Sequence, residues 1–427
     1  MQTKPMLLFI GPVASRSGYG SHARDIVRSL IKIDKYEIKI IPIRWGNTPL
    51  NALRKGFDDD ILSLLLKDVK LEKKPDISIH LTVPNEYVAN GANFNIGITA
   101  GIETNACSTK WVEGLNKVDL NIVPSTFSKN VLENTSYTNK ANNTELKCIK
   151  PIEVLFEGID TNIFNKTNKI EKTINNKLKD IPEEFLFLFV GHWLQGSIGH
   201  DRKDVGMLIK VFSETFKNKK NMPALLLKTG SVFSKIEELE IRKKIKIIRD
   251  NVAGDIPNIY IIFGELTDVE MNSLYNHKKV KAHVSFTKGE GFGRPLLEAS
   301  LSGKPIIAGS FGGQTDFLNQ SESILLPGEL KNVDRSAVWE DVIIPESKWF
   351  YVNYTVASNE MLNVYTNYDS YLEKSNKLAS ENLNKFSFDN MTIELEKLLD
   401  KYTSHMTVTE EFVLPKLPKL KKIKSRD

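Results

Sequence analysis

Short runs of apolar and β-branched residues recur along the chain, each pair separated by room for a helix. The first set reads MLLFIGP (6–12), YEIKIIPI (36–43), DISIHLTV (76–83), NFNIGITA (93–100), DLNIVPS (119–125) and IEVLFEG (152–158). The alternation restarts with FLFLFVG (185–191), ALLLKTG (224–230), NIYIIFG (258–264), AHVSFT (282–287), PIIAGS (305–310) and SILLP (323–327). Near-continuous apolar strands separated by helices predict parallel sheets covered on both faces. Between the sets, KTNKIEKTINNKLKDIPEE (166–184) shows no apolar periodicity and reads as a linker. The expected fold class is α/β, with two doubly wound, Rossmann-like domains at 1–168 and 169–384.

Helical spacing supports the division. In SHARDIVRSLIK, Ala23, Ile26, Val27, Leu30 and Ile31 follow the i, i+3, i+4, i+7, i+8 rule of one buried face, and Ser21 is the expected N-cap. A last helix, FDNMTIELEKLLDKY (388–402), follows the second sheet and is free to pack back on the first domain. It opens the final segment, 385–427, which ends in a basic tail. Open parallel sheets bind ligands outside the carboxyl ends of their strands, so the cleft between the two sheets is the expected site.

Composition narrows the class. The chain has 427 residues, 41% hydrophobic and 26% charged, in keeping with a globular protein of two domains. No apolar run approaches the ~20 residues of a membrane helix, and the opening MQTKPMLLFIGPVAS is too short in apolar residues for a secretory signal. Cys107 and Cys148 give neither a disulfide framework nor a metal-ligand spacing, so a reducing cytoplasm and no metal are expected. The net charge of +5 is concentrated in the tail, where Lys416, Lys419, Lys421, Lys422, Lys424 and Arg426 face a single Asp427. Such a tail reads as a solvated terminus, or as a weak contact for nucleic acid or an anionic membrane surface.

Three loops carry candidate chemistry. GPVASRSGYGSHARD (11–25) places Gly18 and Gly20 before a helix, where backbone N–H groups approach a phosphate. It lacks the tight turn and the acidic residue of a dinucleotide fingerprint. DRKDVGMLIKVF (201–212) sets Arg202 and Lys203 just before a helix, where a cation does not help the helix and suits an anion. GEGFGRPLLEASLSGKP (289–305) brackets a bend and the helix-starting Pro295 with Glu290 and Glu298, and offers an exposed Phe292. Asp58, Asp59 and Asp60 read as a helix start rather than a metal site, and His80 as an interior histidine or, being near its strand's carboxyl end, as a base.

The last of these loops resembles the E-x7-E element of the retaining, metal-independent glycosyltransferases of the GT-B fold, the family-4-like "group 1" class. That element reads EGFGRPLLEA here. VDLNIVPSTFSKNVL, VLFEGIDTNIF, RKDVGMLIKVF, ELTDVEMNSLY and GSFGGQTDFL match further segments in the group's order, over most of residues 75–320. The resemblance implies transfer from a nucleotide sugar, the donor being a substrate and no cofactor being required. By matched position Glu298 would bind the ribose hydroxyls, Glu290 the transferred sugar, and Lys203 the departing diphosphate. The bend Gly291, Phe292, Gly293 and Arg294, the amides of Gly312 and Gly313, and the Gly18–Gly20 loop would complete the donor site, with the base near FGEL (263–266).

Three departures stand out. His192 occupies the place of the group's usual phosphate-clamp arginine, with Arg202, the inserted loop WLQGSIGHD or Arg294 as candidate replacements. Arg294 itself stands where an apolar residue is usual. GITAGIETNA lacks the histidine many members have and offers Glu103 as an acceptor-side or catalytic residue instead. The expected acceptor is a glycan or lipid-linked glycan. The alternative acceptor is a hydroxylated DNA base, suited to the positive charge and to a lysine/asparagine-rich, bacteriophage-like composition. The alternative of another class is a GT-B-like module that binds a nucleotide sugar without catalysis.

Overall fold

The computed structural model describes residues 4–67, 71, 73–89, 91–193, 196–230 and 235–404. The basic tail lies outside them. All twelve apolar runs form strands. In the first half these are β1 (Met6–Gly11), β2 (Glu37–Pro42), β3 (Ile77–Leu81), β4 (Phe94–Ile98) and β5 (Leu120–Val123). A polar hairpin, β6 (Ser136–Asn139) and β7 (Thr144–Lys147), precedes β8 (Ile152–Val154). The second half holds β9 (Leu186–Val190), β10 (Ala224–Thr229), β11 (Ile259–Phe263), β12 (Val280–Val284), β13 (Ile306–Gly309) and β14 (Ile324–Leu326). A second hairpin, β15 (Gly328–Asn332) and β16 (Lys348–Val352), follows.

Both six-stranded sheets are parallel, in the orders β2-β1-β3-β4-β5-β8 and β11-β10-β9-β12-β13-β14. In the second sheet the chain runs outward from β9 to β11, then returns to the other side of β9 with β12. The loops after β9 and β12 therefore part at a topological switch point, where open sheets leave a crevice. Apolar clusters cover both faces of this sheet, as its unbroken apolar strands require.

The first helix runs Gly18–Ile33 and is capped by Ser17, whose hydroxyl accepts from the Gly20 amide at 3.0 Å. The cap thus lies four residues before the expected Ser21, and Gly18 and Gly20 form the first helical turn rather than a loop. The residues expected as a linker contain a helix, Lys172–Leu178, that buries Ile174 and Leu178 one turn apart. Its two apolar residues are too few for periodicity to reveal. Asp58 does precede a short helix, Asp59–Leu62, and pairs with Arg28 at 2.6 Å.

The chain returns to the first domain through Phe386–Phe388, with backbone bonds to Ile159. Helix Phe388–Thr403 then buries Met391, Leu395 and Leu399 in the first domain's core. Among the described residues, no helix is long and apolar enough to cross a membrane.

Candidate active site

The loop after β12 and the loop after β9 are stitched together before either reaches the cleft. The Lys288 amide donates to the Arg202 carbonyl at 2.8 Å. The buried Lys288 ammonium donates to the carbonyls of Gly199 and Asp201 at 2.7 and 2.9 Å and pairs with Asp204 at 3.2 Å. This anchorage holds Arg202 and Lys203 against Glu290. Lys203 makes a short ion pair with one Glu290 oxygen, and Arg202 pairs with the other at 3.1 Å. Thr287 donates its hydroxyl to Glu290 at 2.9 Å, and Arg202 reaches across the cleft to Glu103 at 2.9 Å.

Charge in this cluster is nearly balanced. Burial pushes the Glu290 carboxyl up, but Lys203, Arg202 and the Thr287 hydroxyl outweigh it and hold the group at about 2. Burial lowers the Lys203 ammonium, against the pull of Glu290. Glu103 is raised by burial, with Arg202 opposing. The structure thus brings together Glu290, Lys203, Arg202 and Glu103, from both domains.

A second buried cluster lies along the helix Arg294–Ser300. Arg294 pairs with Glu298 at 3.1 Å and crosses to Asp25 of the first helix at 2.5 Å. Tyr275 donates its hydroxyl to Glu298 at 3.1 Å. Burial raises Glu298 to about 7 despite Arg294, and raises Glu157 to about 7 in the same surroundings. Arg294 is therefore turned to carboxylates and to the domain interface rather than free to replace a phosphate clamp.

The bend between the clusters touches the first domain directly. A Cβ at Gly289 would stand 1.7 Å from the Glu103 carbonyl oxygen, and one at Gly291 2.0 Å from that of Ala100. The Gly291 carbonyl accepts from the hydroxyls of Ser125 at 2.6 Å and Ser128 at 3.2 Å. Asp316 accepts from the Thr126 amide at 2.7 Å, and Arg16 pairs with Glu265 at 3.2 Å. The glycines of this bend thus permit close approach of the two domains.

Comparison with known proteins accords with this architecture. Residues 176–335 match the family model of glycosyl transferases group 1. The structure is similar to sucrose-phosphate synthase from Thermosynechococcus elongatus, with a TM-score of 0.64, 13% identity, and 94% of this chain and 100% of that one covered. A glycosyltransferase from Rickettsia africae gives a TM-score of 0.64 at 15% identity, over 95% and 100% of the two chains. Anabaena HepE in complex with UDP-glucose gives 0.60 at 14% identity, over 93% and 99%. The fold is GT-B. No curated protein matches the chain by sequence.

Within this GT-B cleft the other expected donor residues fare unequally. Phe292 is buried against Phe317 and Phe386, so the exposed aromatic expected there is a core residue. The Gly313 amide donates to the Glu290 carbonyl at 2.7 Å, and the Gly20 amide caps its own helix, so neither is free for an anion. Gly312 and Gly293 take left-handed backbone conformations, φ 107° and 95°, the latter at the helix start. His192 stands at the end of β9. Desolvation of its ring, and then the cations Lys228, Lys203 and Arg202, lower it to about 4. His80 accepts from the Val88 amide at 3.3 Å and is buried, an interior residue. Among the described residues, no group of three or more His, Cys, Asp or Glu is arranged to hold a metal.

Sequence reasoning missed Asp25, Glu157 and Lys228 as cleft residues. Asp25 carried no signal, being one of several charges on an amphipathic helix. Glu157 lies three residues beyond β8 and carried no local signal either; Lys228 is the one charge in ALLLKT and was visible as a charge at a strand end that faces a cleft.

Proposed function

We propose that this protein is a metal-independent retaining glycosyltransferase that moves a sugar from a nucleotide-sugar donor to a hydroxyl of a glycan or lipid-linked glycan. The observation that carries this reading is the meeting of Lys203, Arg202 and Glu290 with Glu103 at the switch point, between the loops after β9 and β12. The Anabaena neighbour of the same fold was solved with UDP-glucose, which supports a nucleoside diphosphate sugar as the donor class.

In this reading Glu298 accepts hydrogen bonds from the ribose hydroxyls, and Glu290 orients the transferred sugar. Lys203 is drawn from Glu290 to the diphosphate as negative charge develops there, the point at which a fixed cation stabilises most. The anomeric bond to the diphosphate breaks while a bond to the acceptor oxygen forms on the same face. The acceptor's proton passes to the departing diphosphate, and Glu103 orients the acceptor hydroxyl from the first domain. Arg202 holds Glu103 and Glu290 together, so donor and acceptor groups share one support.

A panel of nucleotide sugars, scored for binding and slow hydrolysis with wild type and Glu298→Ala, tests the reading. One donor should bind and be hydrolysed, Glu298→Ala should lose its binding, and a chelator should leave hydrolysis unchanged. A donor bound equally by Glu298→Ala would remove that residue's role, and activity lost in chelator would overturn metal independence.

A further inference from the structure

A donor diphosphate needs more positive charge than the clamp residues of this chain have free. Lys203 is committed to Glu290, and Arg202 is divided between Glu290 and Glu103. His192, at the place of the group's arginine, is an imidazole pushed below its ordinary pKa by desolvation and by the cations around it, and so supplies no fixed positive charge. One cation beside it is uncommitted.

That cation is Lys228. It is the only charged residue of β10, one position from the strand's carboxyl end. In the sheet it lies opposite Val190 of β9, and its carbonyl accepts from the Gly191 amide at 3.0 Å. Its side chain therefore leaves the sheet next to the turn that carries His192, on which its charge bears ahead of those of Lys203 and Arg202. By the two-residue alternation of a strand it shares a face with Leu226, the face whose core also takes in Leu296 and Leu297 of the Glu298 helix.

Among the described residues the Lys228 ammonium has no hydrogen bond or ion pair. The acid that bears on it, Glu265, is engaged with Arg16. Burial, only partly offset by Glu265, lowers its pKa to about 8, the mark of an ammonium partly stripped of water. A half-buried cation in that state is stabilised by an anion entering from the cleft.

We propose that Lys228 binds the phosphates of the donor, supplying with Lys203 the second cation that the group's arginine would otherwise provide at position 192. The identity of the anion rests on the glycosyl-transfer reading; the anion site itself does not. Binding of uridine, guanosine, adenosine and thymidine, their 5′-diphosphates, and inorganic pyrophosphate to the full chain can be measured by calorimetry for wild type, Lys228→Met and Lys228→Arg. One diphosphate should bind wild type, lose about 10- to 100-fold in Lys228→Met, and be largely restored in Lys228→Arg. The matching nucleoside should bind wild type and Lys228→Met alike.

A diphosphate affinity unchanged in Lys228→Met would overturn the proposal. So would an equal loss for nucleoside and diphosphate, which would place Lys228 at the base or ribose. Pyrophosphate bound through Lys228 with no nucleotide bound would keep the anion site and defeat the nucleotide-sugar reading. A wild type that binds neither nucleotides nor pyrophosphate would defeat both.

Discussion

Asp25, Glu157 and Glu298 all act on the Arg294 guanidinium, and three carboxylates exceed what one guanidinium can neutralise. Burial holds Glu157 and Glu298 at about 7, so near neutral pH each is close to half protonated. A carboxyl raised in the folded state favours folding below its ordinary pKa, and that contribution is lost as pH rises through the folded value. Glu157→Gln keeps the shape and removes the titration. The stability of Glu157→Gln relative to wild type should therefore increase by ~1 kcal/mol between pH 6 and pH 8, read from paired denaturant melts. A difference independent of pH would show that Glu157 is ionised throughout. Glu290 behaves oppositely: two cations hold it at about 2, so its charge should persist across the same range. Of these residues, Glu290, Glu298 and Lys203 were legible from spacing and resemblance. Glu157 and Asp25 were not, because their role depends on facing an arginine from another part of the chain.

At the scale of elements, every sheet strand was visible as an apolar run, because a strand covered on both faces has no polar side to obscure it. Three of the four hairpin strands escaped notice for the converse reason; the fourth, the apolar KWFYV of β16, was overlooked despite its pattern. SYTN, TELK and GELKN are mostly exposed and carry no apolar alternation. The hairpin β15–β16 nevertheless matters to the cleft. Lys348 of β16 exchanges backbone and side-chain bonds with Asn105 of the first domain, at 3.2 and 2.6 Å. The final helix was legible as a helix, but its partner was not. It seats on the helix Gly18–Ile33 through Met391, Leu395 and Leu399, with Ser29 and Thr392 hydroxyls 2.9 Å apart at the seam. Leu395→Ala should leave a cavity there and destabilise the first domain by about 2–5 kcal/mol, read as a lower Tm. A loss below 1 kcal/mol would mean that the helix contributes little to that core.

For the whole molecule, the closeness of the two domains is set by backbone against backbone. With 2.0 Å between a Cβ at Gly291 and the Ala100 oxygen, a Gly291→Val chain cannot keep this arrangement. Small-angle scattering should show Gly291→Val expanded relative to wild type, with circular dichroism unchanged because neither domain core is touched. Equal scattering profiles would show that the bend yields locally instead. Arg294, which joins the Glu298 helix to Asp25, and Arg202, which joins Glu290 to Glu103, are the charged counterparts of this contact. The sequence by itself determined two parallel sheets and singled out Glu290, Glu298 and Lys203 as candidates for the cleft between them. The sheets follow from period and length, and the three residues from a resemblance carried by short motifs, all properties of contiguous residues. Only the tertiary structure decided that Phe292 is core, that the Gly313 amide is already bonded, and that Arg294 is held by carboxylates. It also decided that Lys228, beside His192, has no ion pair among the described residues. Each of these depends on what a distant segment places opposite a side chain, and neither period nor spacing carries that information.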